Sequence, residues 1–351
     1  MISFSPGPSK VYDQLPVYFK DAFDHGILSA NHRSAAFMHL YQETEELIKE
    51  KLEIPGDYKL LFTSSATENW EIIAQSLVEE SSFHIFSGDF GKKWFDFARN
   101  IDPSAQAHKL DKDREVDVNA LTIGESFDLI AVTQNETSNA TQVSPKIIDA
   151  IRERFPKKMI AVDATSSMAG IYLDFKMADI WFASVQKCFG LPAGLGLLIL
   201  SPKAIEKVNR KGEKGRYNSL SFMLENAEIY QTHYTPNVLG IYLLNRSLQD
   251  TSFITTTSKM VESRMARMEE VIADSESLDF LIKNSQTRSR TVLGISGEEG
   301  FVSQVKKSAE SAGMQMGSGY GVLKPTSFRI ANFPAVTDEE FDKLIRFLKG
   351  F

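Results

Sequence analysis

Lys187 sits in "IWFASVQKCFGLPAGLGLLILS" (residues 180–201), between Ile180 to Val185 and Leu195 to Leu200, two runs with the residue types of buried strands. An ammonium is costly to bury, so a lysine in this place is a candidate for chemistry that uses the neutral amine. Other polar groups follow apolar runs in the same way. Asp163 ends "KMIAVD", Thr137 closes "FDLIAVTQNET", and Ser64-Ser65-Ala66-Thr67 joins the run "KLLF" to a helical pattern. In open α/β sheets, ligands gather at the carboxyl ends of strands. A reactive amine, a carboxylate and a helix N-terminus able to bind phosphate would then face one crevice, and that set is what a pyridoxal 5'-phosphate enzyme requires. The amine forms a Schiff base, and the carboxylate keeps the ring nitrogen protonated so that the ring can accept electrons.

Each group alone has an ordinary structural reading. Ser65 and Glu68 fit a capping box, a strand-end aspartate is commonly a turn residue, and a strand-end lysine commonly reaches to solvent. Their joint occurrence, in this order, is what favours the chemical reading.

The elements that must position these groups are legible in outline. "FDLIAVT", "KMIAVD", "DIWFAS" and "LGLLILS" are near-continuous apolar runs. Runs without alternation mark strands covered on both faces, so a mostly parallel sheet in an α/β domain is expected. In "SATENWEIIAQSLVEE", Trp70, Ile73, Ala74 and Leu77 share one helical face. The stretch 205–230, with "RKGEKGRYN", reads as an exposed excursion, and helical patterns run through 237–248 and 257–276. The remainder alternates strand, helix, strand and helix, a compact α+β unit. The expected division is a large domain over residues 1–245 and a smaller C-terminal one over 246–351, with residues 1–12 able to pack on the smaller.

Composition bounds the rest. The 351 residues are 42% hydrophobic and 24% charged, as in ordinary globular chains. A net charge of −7 argues against a general nucleic-acid binder. No apolar run approaches the roughly 20 residues that cross a bilayer, and "MISFSPGPSK" has no basic segment leading into an apolar one. The single cysteine, Cys188, excludes an internal disulfide and fits a reducing compartment. A cytoplasmic location is expected, with neither membrane, nucleic-acid nor metal partners. "GLPAGLG" resembles a dinucleotide-binding loop, but its glycines lead into a strand pattern and offer no helix N-terminus to a pyrophosphate.

The motifs "FSPGPS", "NHRSAAF", "FTSSATENWE", "QNETSNATQV", "VDATSSMAG", "SVQKCFGLPAGLG" and "HYTPNVLGIYLL" resemble, in order, those of the class V aminotransferases, which have the fold-type I architecture. The resemblance implies that Lys187 binds the cofactor covalently, Asp163 pairs with its ring nitrogen and Thr137 with its phenolic oxygen. It also implies that Ala66, Thr67 and Gln186 hold its phosphate, while Phe90 stacks on its ring. Tyr234 and Thr235 would reach the phosphate of a neighbouring subunit, which implies a homodimer with shared sites. Arg329 would clamp the substrate α-carboxylate with a bidentate fork, although by pattern alone it is a surface arginine. His32-Arg33 is similar to the pair with which some members bind a substrate phosphate. The resemblance implies amino transfer from L-glutamate to 3-phosphohydroxypyruvate, giving 2-oxoglutarate and O-phospho-L-serine in serine biosynthesis. The alternative is an alanine–glyoxylate or serine–pyruvate enzyme. Thr67 departs from the pattern, since many members that use the phosphorylated substrate have an arginine there. A cysteine desulfurase is excluded, because it needs a mobile cysteine on a separate loop.

Overall fold

In a computed structural model covering residues 1–351, the apolar runs form one seven-stranded sheet. Its order is Lys59–Thr63, Gly196–Leu200, Ile180–Ser184, Met159–Asp163, Leu129–Thr133, Ser82–Phe86 and Gln106–Lys109. Gly196–Leu200 runs antiparallel to both neighbours, and the pairs beyond Ile180–Ser184 are parallel. Every residue of Leu129–Thr133, Met159–Asp163, Ile180–Ser184 and Gly196–Leu200 is buried, as sheets covered on both faces demand. Register aligns the strand ends. Thr133 pairs with Asp163, and Asp163 with Phe182, so one edge of the sheet gathers Thr63, Thr133, Asp163 and Ser184.

A second, five-stranded sheet has the order Ile2–Phe4, Met314–Ser318, Ser327–Ala331, Val292–Ser296 and Asp279–Phe280. The chain's first strand therefore pairs, in parallel, with one from its last quarter. Beyond that strand, the Ser9 amide donates to the Gln186 carbonyl (3.1 Å), and Tyr12 donates to Gly190 (3.0 Å). The N-terminal segment thus runs from the small sheet to the loop that carries Lys187. Behind that loop, Ala140, Cys188, Val292, Ala331 and Phe333 form a buried cluster joining the small sheet to the segment that carries Lys187.

One expectation is corrected. Residues 205–230 are not an exposed excursion, because they lie largely in the helices Pro202–Lys211 and Leu220–Ala227. Leu220, Met223 and Leu224 of the second helix are buried in the main core, and only the polar "GEKGRYNS" (212–219) between the helices is a loop. The charged composition of that loop masked the short apolar helix beside it.

Gly196 sits where the antiparallel strand approaches the Ser64–Ala66 turn. A Cβ there would lie 2.4 Å from Thr63 Oγ1 and 2.6 Å from the Ser65 carbonyl carbon, which belongs to backbone and cannot rotate away. Gly196→Ala is expected to lower stability by about 1–3 kcal/mol, measured as a fall in the urea midpoint. An unchanged midpoint would show that the turn has room to move.

Candidate functional site

The helix Ala66–Leu77 starts at Ser65, whose side chain accepts from the Glu68 amide (3.1 Å). The expected capping box is only half formed. Glu68 turns outward and accepts from the Ser64 amide (2.7 Å) and hydroxyl (2.6 Å) instead of returning to Ser65. The Ala66 amide donates to Ser184 Oγ (2.6 Å), which pins the helix start to the strand leading to Lys187. One turn on, Trp70 is 5% exposed, and its indole donates to Asp163 Oδ2 (3.3 Å).

Asp163 follows the centre of the sheet. Its Oδ1 accepts from both the Thr165 amide (2.9 Å) and hydroxyl (2.5 Å). Burial raises its pKa and so disfavours the ionised form, and the hydrogen bonds from Thr165, the Lys187 charge and the Trp70 indole pull it back.

Lys187 leaves the next strand in a turn and is 8% exposed. Positive φ at Gly190 (63°) and Gly194 (112°) lets the following loop fold back into Gly196–Leu200. Lys187 Nζ donates to Thr137 Oγ1 (2.6 Å) and lies 5.3 Å from the centre of the Phe90 ring. Burial lowers its ionisation, against the raising influence of Asp163 and Glu136, and Arg329 lowers it further.

Arg329 arrives from the five-stranded sheet, in Ser327–Ala331. Its Nε donates to the Ser318 carbonyl (2.8 Å) and Nη1 to the Thr137 carbonyl (2.6 Å), which fixes the guanidinium plane. A cavity of about 240 Å³ is lined by Ala66, Thr67, Phe90, Thr137, Asp163, Gln186, Lys187 and Arg329, all of them marked from sequence.

The sequence reading did not mark Trp70 as a site residue, nor Pro6 to Pro8, Thr165, Ser184 or Tyr320, which line the same cavity. Tyr320 packs on Phe90 with ring centres 5.7 Å apart. His32, Arg33, Tyr234 and Thr235 do not line the cavity of their own chain. Arg33 Nη1 donates instead to Gln231 Oε1 (2.9 Å), three residues before Tyr234. Burial and the Arg33 charge both lower the ionisation of His32. The glycines of "GLPAGLG" do lead into a strand, Gly196–Leu200. Cys188 is 1% exposed, and burial pushes its thiol up.

The donor set suits an aromatic aldehyde phosphate. Burial makes the amine easier to deprotonate, a buried carboxylate stands near it, an aromatic ring walls one side and hydroxyls lie at a helix start. Asn135 lines the cavity too, and its buried Oδ1 has no partner within the chain, a polar atom left over for a ligand.

Comparison with known proteins identifies the family. The family model described as aminotransferase class-V matches residues 4–336. A phosphoserine aminotransferase of Rhodococcus opacus (strain B4) is 26% identical, the match covering 98% of this chain and 93% of that one. The crystal structure of a phosphoserine aminotransferase from Cytophaga hutchinsonii superposes with a TM-score of 0.94 at 34% identity, over 99% of this chain and 98% of that one. An alanine–glyoxylate aminotransferase from a Nostoc species shares the fold, with a TM-score of 0.81 at 18% identity over 99% and 94% of the two chains.

A depressed lysine reacts with aldehydes at lower pH than a free one. In the protein stripped of cofactor, covalent capture of pyridoxal phosphate at Lys187 is expected to titrate with a midpoint below the ordinary lysine value of 10.5. A midpoint at or above that value would contradict the burial argument.

Proposed function

The chain belongs to the class V aminotransferases, a pyridoxal phosphate-dependent family of transaminases, and from that premise we propose that it transfers the amino group of L-glutamate to 3-phosphohydroxypyruvate, giving 2-oxoglutarate and O-phospho-L-serine. The observation that carries the transamination chemistry is the convergence of Lys187, Asp163, Thr137 and Arg329 on one cavity. The choice of substrate is supported by full-length similarity to phosphoserine aminotransferases and by the His32-Arg33 pair.

Pyridoxal phosphate, when bound, supplies an electron sink for the pair left on the substrate α-carbon once its proton is removed. The residues do the rest. Arg329, its plane set by Ser318 and Thr137, binds the substrate carboxylate and orients the α-carbon. Lys187 Nζ takes the proton from that carbon as general base, and returns a proton to the α-carbon of the acceptor in the second half-reaction. Its hydrogen bond to Thr137 sets where the amine waits. Asp163, held by Trp70 and Thr165, keeps a proton at the ring nitrogen. The Ala66–Thr67 helix start and Gln186 hold the cofactor phosphate, and Phe90 covers the ring face.

His32, Arg33, Tyr234 and Thr235 stand away from their own cavity, and this supports the reading that they complete the site of a second copy in a homodimer. Exposed Val17, Phe23, Leu28 and Ile229 supply apolar surface for such a contact. No helix is long and apolar enough to cross a membrane, and we place the enzyme in the cytoplasm. The division into residues 1–245 and 246–351 is part of the same proposal.

Thr67 favours a second reading, an alanine–glyoxylate or serine–pyruvate enzyme, because it brings no positive charge to a substrate phosphate. One titration separates the two. The visible band of the protein-bound cofactor should bleach with L-glutamate and return with 3-phosphohydroxypyruvate but not with glyoxylate or pyruvate. Faster recovery with glyoxylate or pyruvate would select the second reading.

A further inference from the structure

Glu136 is the one carboxylate beside Lys187 to which the reaction assigns no part. It lies in the short strand Asn135–Glu136, directly before Thr137, and is 0% exposed. Burying a carboxylate so fully is costly unless donors satisfy it. Four do. Oε1 accepts from the Ser138 hydroxyl (2.7 Å), the Ser138 amide (3.0 Å) and the Phe90 amide (3.4 Å), and Oε2 accepts from the Gly91 amide (3.0 Å).

Two of those amides open the helix Asp89–Ile101, whose N-cap, Gly88, has no side chain to cap it. The cap comes from another segment. Glu136 takes the Phe90 and Gly91 amides, and Ser138 Oγ takes the Asp89 amide (3.0 Å). The approach is close enough that a Cβ on Gly88 would lie 2.4 Å from Glu136 Cγ, and one on Gly91 would lie 2.6 Å from Thr133 Oγ1. On its other side, the residue after Glu136 receives both Lys187 Nζ on its hydroxyl and Arg329 Nη1 on its carbonyl.

We propose that Glu136 is a positioning residue whose carboxylate fixes the Phe90 ring and the Thr137 acceptor of Lys187 relative to one another, so that the aromatic wall and the reactive amine are set by a single buried group. It does not line the cavity and acts through the two residues it holds. Burial raises the pKa of Glu136 and the Gly91, Ser138 and Phe90 donors oppose that; in its ionised form the carboxylate also acts on the amine. The groups facing Lys187 are Asp163, Glu136, Cys188 and Arg329; the first three favour the protonated amine and Arg329 opposes it. A neutral residue at position 136 therefore leaves Lys187 easier to deprotonate. The inference rests on Lys187 being the residue that binds pyridoxal phosphate.

The test compares wild-type protein with Glu136→Gln, both stripped of cofactor and titrated with pyridoxal phosphate across a range of pH. Loss of hydrogen bonds to a charged acceptor should weaken cofactor binding by about tenfold. The midpoint for capture at Lys187 should also move to lower pH, which a cap serving only helix stability would not produce. Glu136→Asp keeps the charge but draws it back, and should leave the midpoint near that of wild type while still binding more weakly. Unchanged affinity and midpoint in Glu136→Gln would overturn the proposal. If that variant fails to fold, Ser138→Ala carries the test, since it removes one donor to the carboxylate and the acceptor for Asp89. Weaker cofactor binding then supports the proposal, and unchanged binding overturns it. Failure of the wild-type protein to capture pyridoxal phosphate at Lys187 would instead remove the reading of the site itself.

Discussion

An amine withdrawn from water is the constraint on which this structure turns. Lys187 is 8% exposed at the end of a central strand, where solvation no longer stabilises its charge. Neutral amine is what imine chemistry uses, so the environment that makes the residue expensive also makes it reactive. Around it, Thr137 offers an acceptor, Asp163 a compensating charge and Phe90 an aromatic face. Each is delivered by a different segment: a strand end, the two-stranded turn at Asn135–Gln142, or the start of a helix.

The two sheets share the work unequally. The seven-stranded sheet brings Asp163 and Lys187 together, since Asp163 pairs with Phe182 of the adjacent parallel strand, which ends at Ser184 and turns into the loop carrying Lys187. The five-stranded sheet contributes Arg329, and its edge strand Ile2–Phe4 sends the chain through Pro6 to Pro8 across the cavity wall to Gln186. Motion of the small sheet would therefore be felt at both the carboxylate-binding arginine and the lysine loop. The buried cluster around Cys188 and Phe333 opposes such motion behind the lysine.

Much of this was legible from the chain alone, for definable reasons. Strands covered on both faces read as unbroken apolar runs, so the order of the central sheet's strands along the chain and the polar groups closing them could be marked directly. Asp163 and Lys187 stand out because charge is rare at such positions. Arg329 has no such signal, because in "SFRIANF" it occupies an alternating strand place, and only the family motifs single it out. By its spacing Trp70 belongs to the core face of its helix, and it does pack there, but an indole can pack and donate at once. The pairing of Thr165 with Asp163 follows the common local habit of an aspartate accepting from the amide two residues on, and could have been found. Tyr320 and the three-residue strand Ile2–Phe4 leave no periodic trace, since both are placed by contacts distant in sequence. Glu136 gave none either, because a buried carboxylate between polar neighbours looks like a loop residue until its four donors are seen.

The central claim is that one amine, Lys187 Nζ, binds the cofactor. Borohydride reduction of the protein loaded with pyridoxal phosphate, followed by digestion and mass spectrometry of the peptides, tests it most directly, because reduction turns the imine into a stable secondary amine. The account expects the pyridoxyl group on the peptide containing Lys187, and no stoichiometric label in Lys187→Ala. Stoichiometric label on another lysine, such as the exposed Lys93 near the mouth of the cavity, or persistent label in that variant, would contradict it.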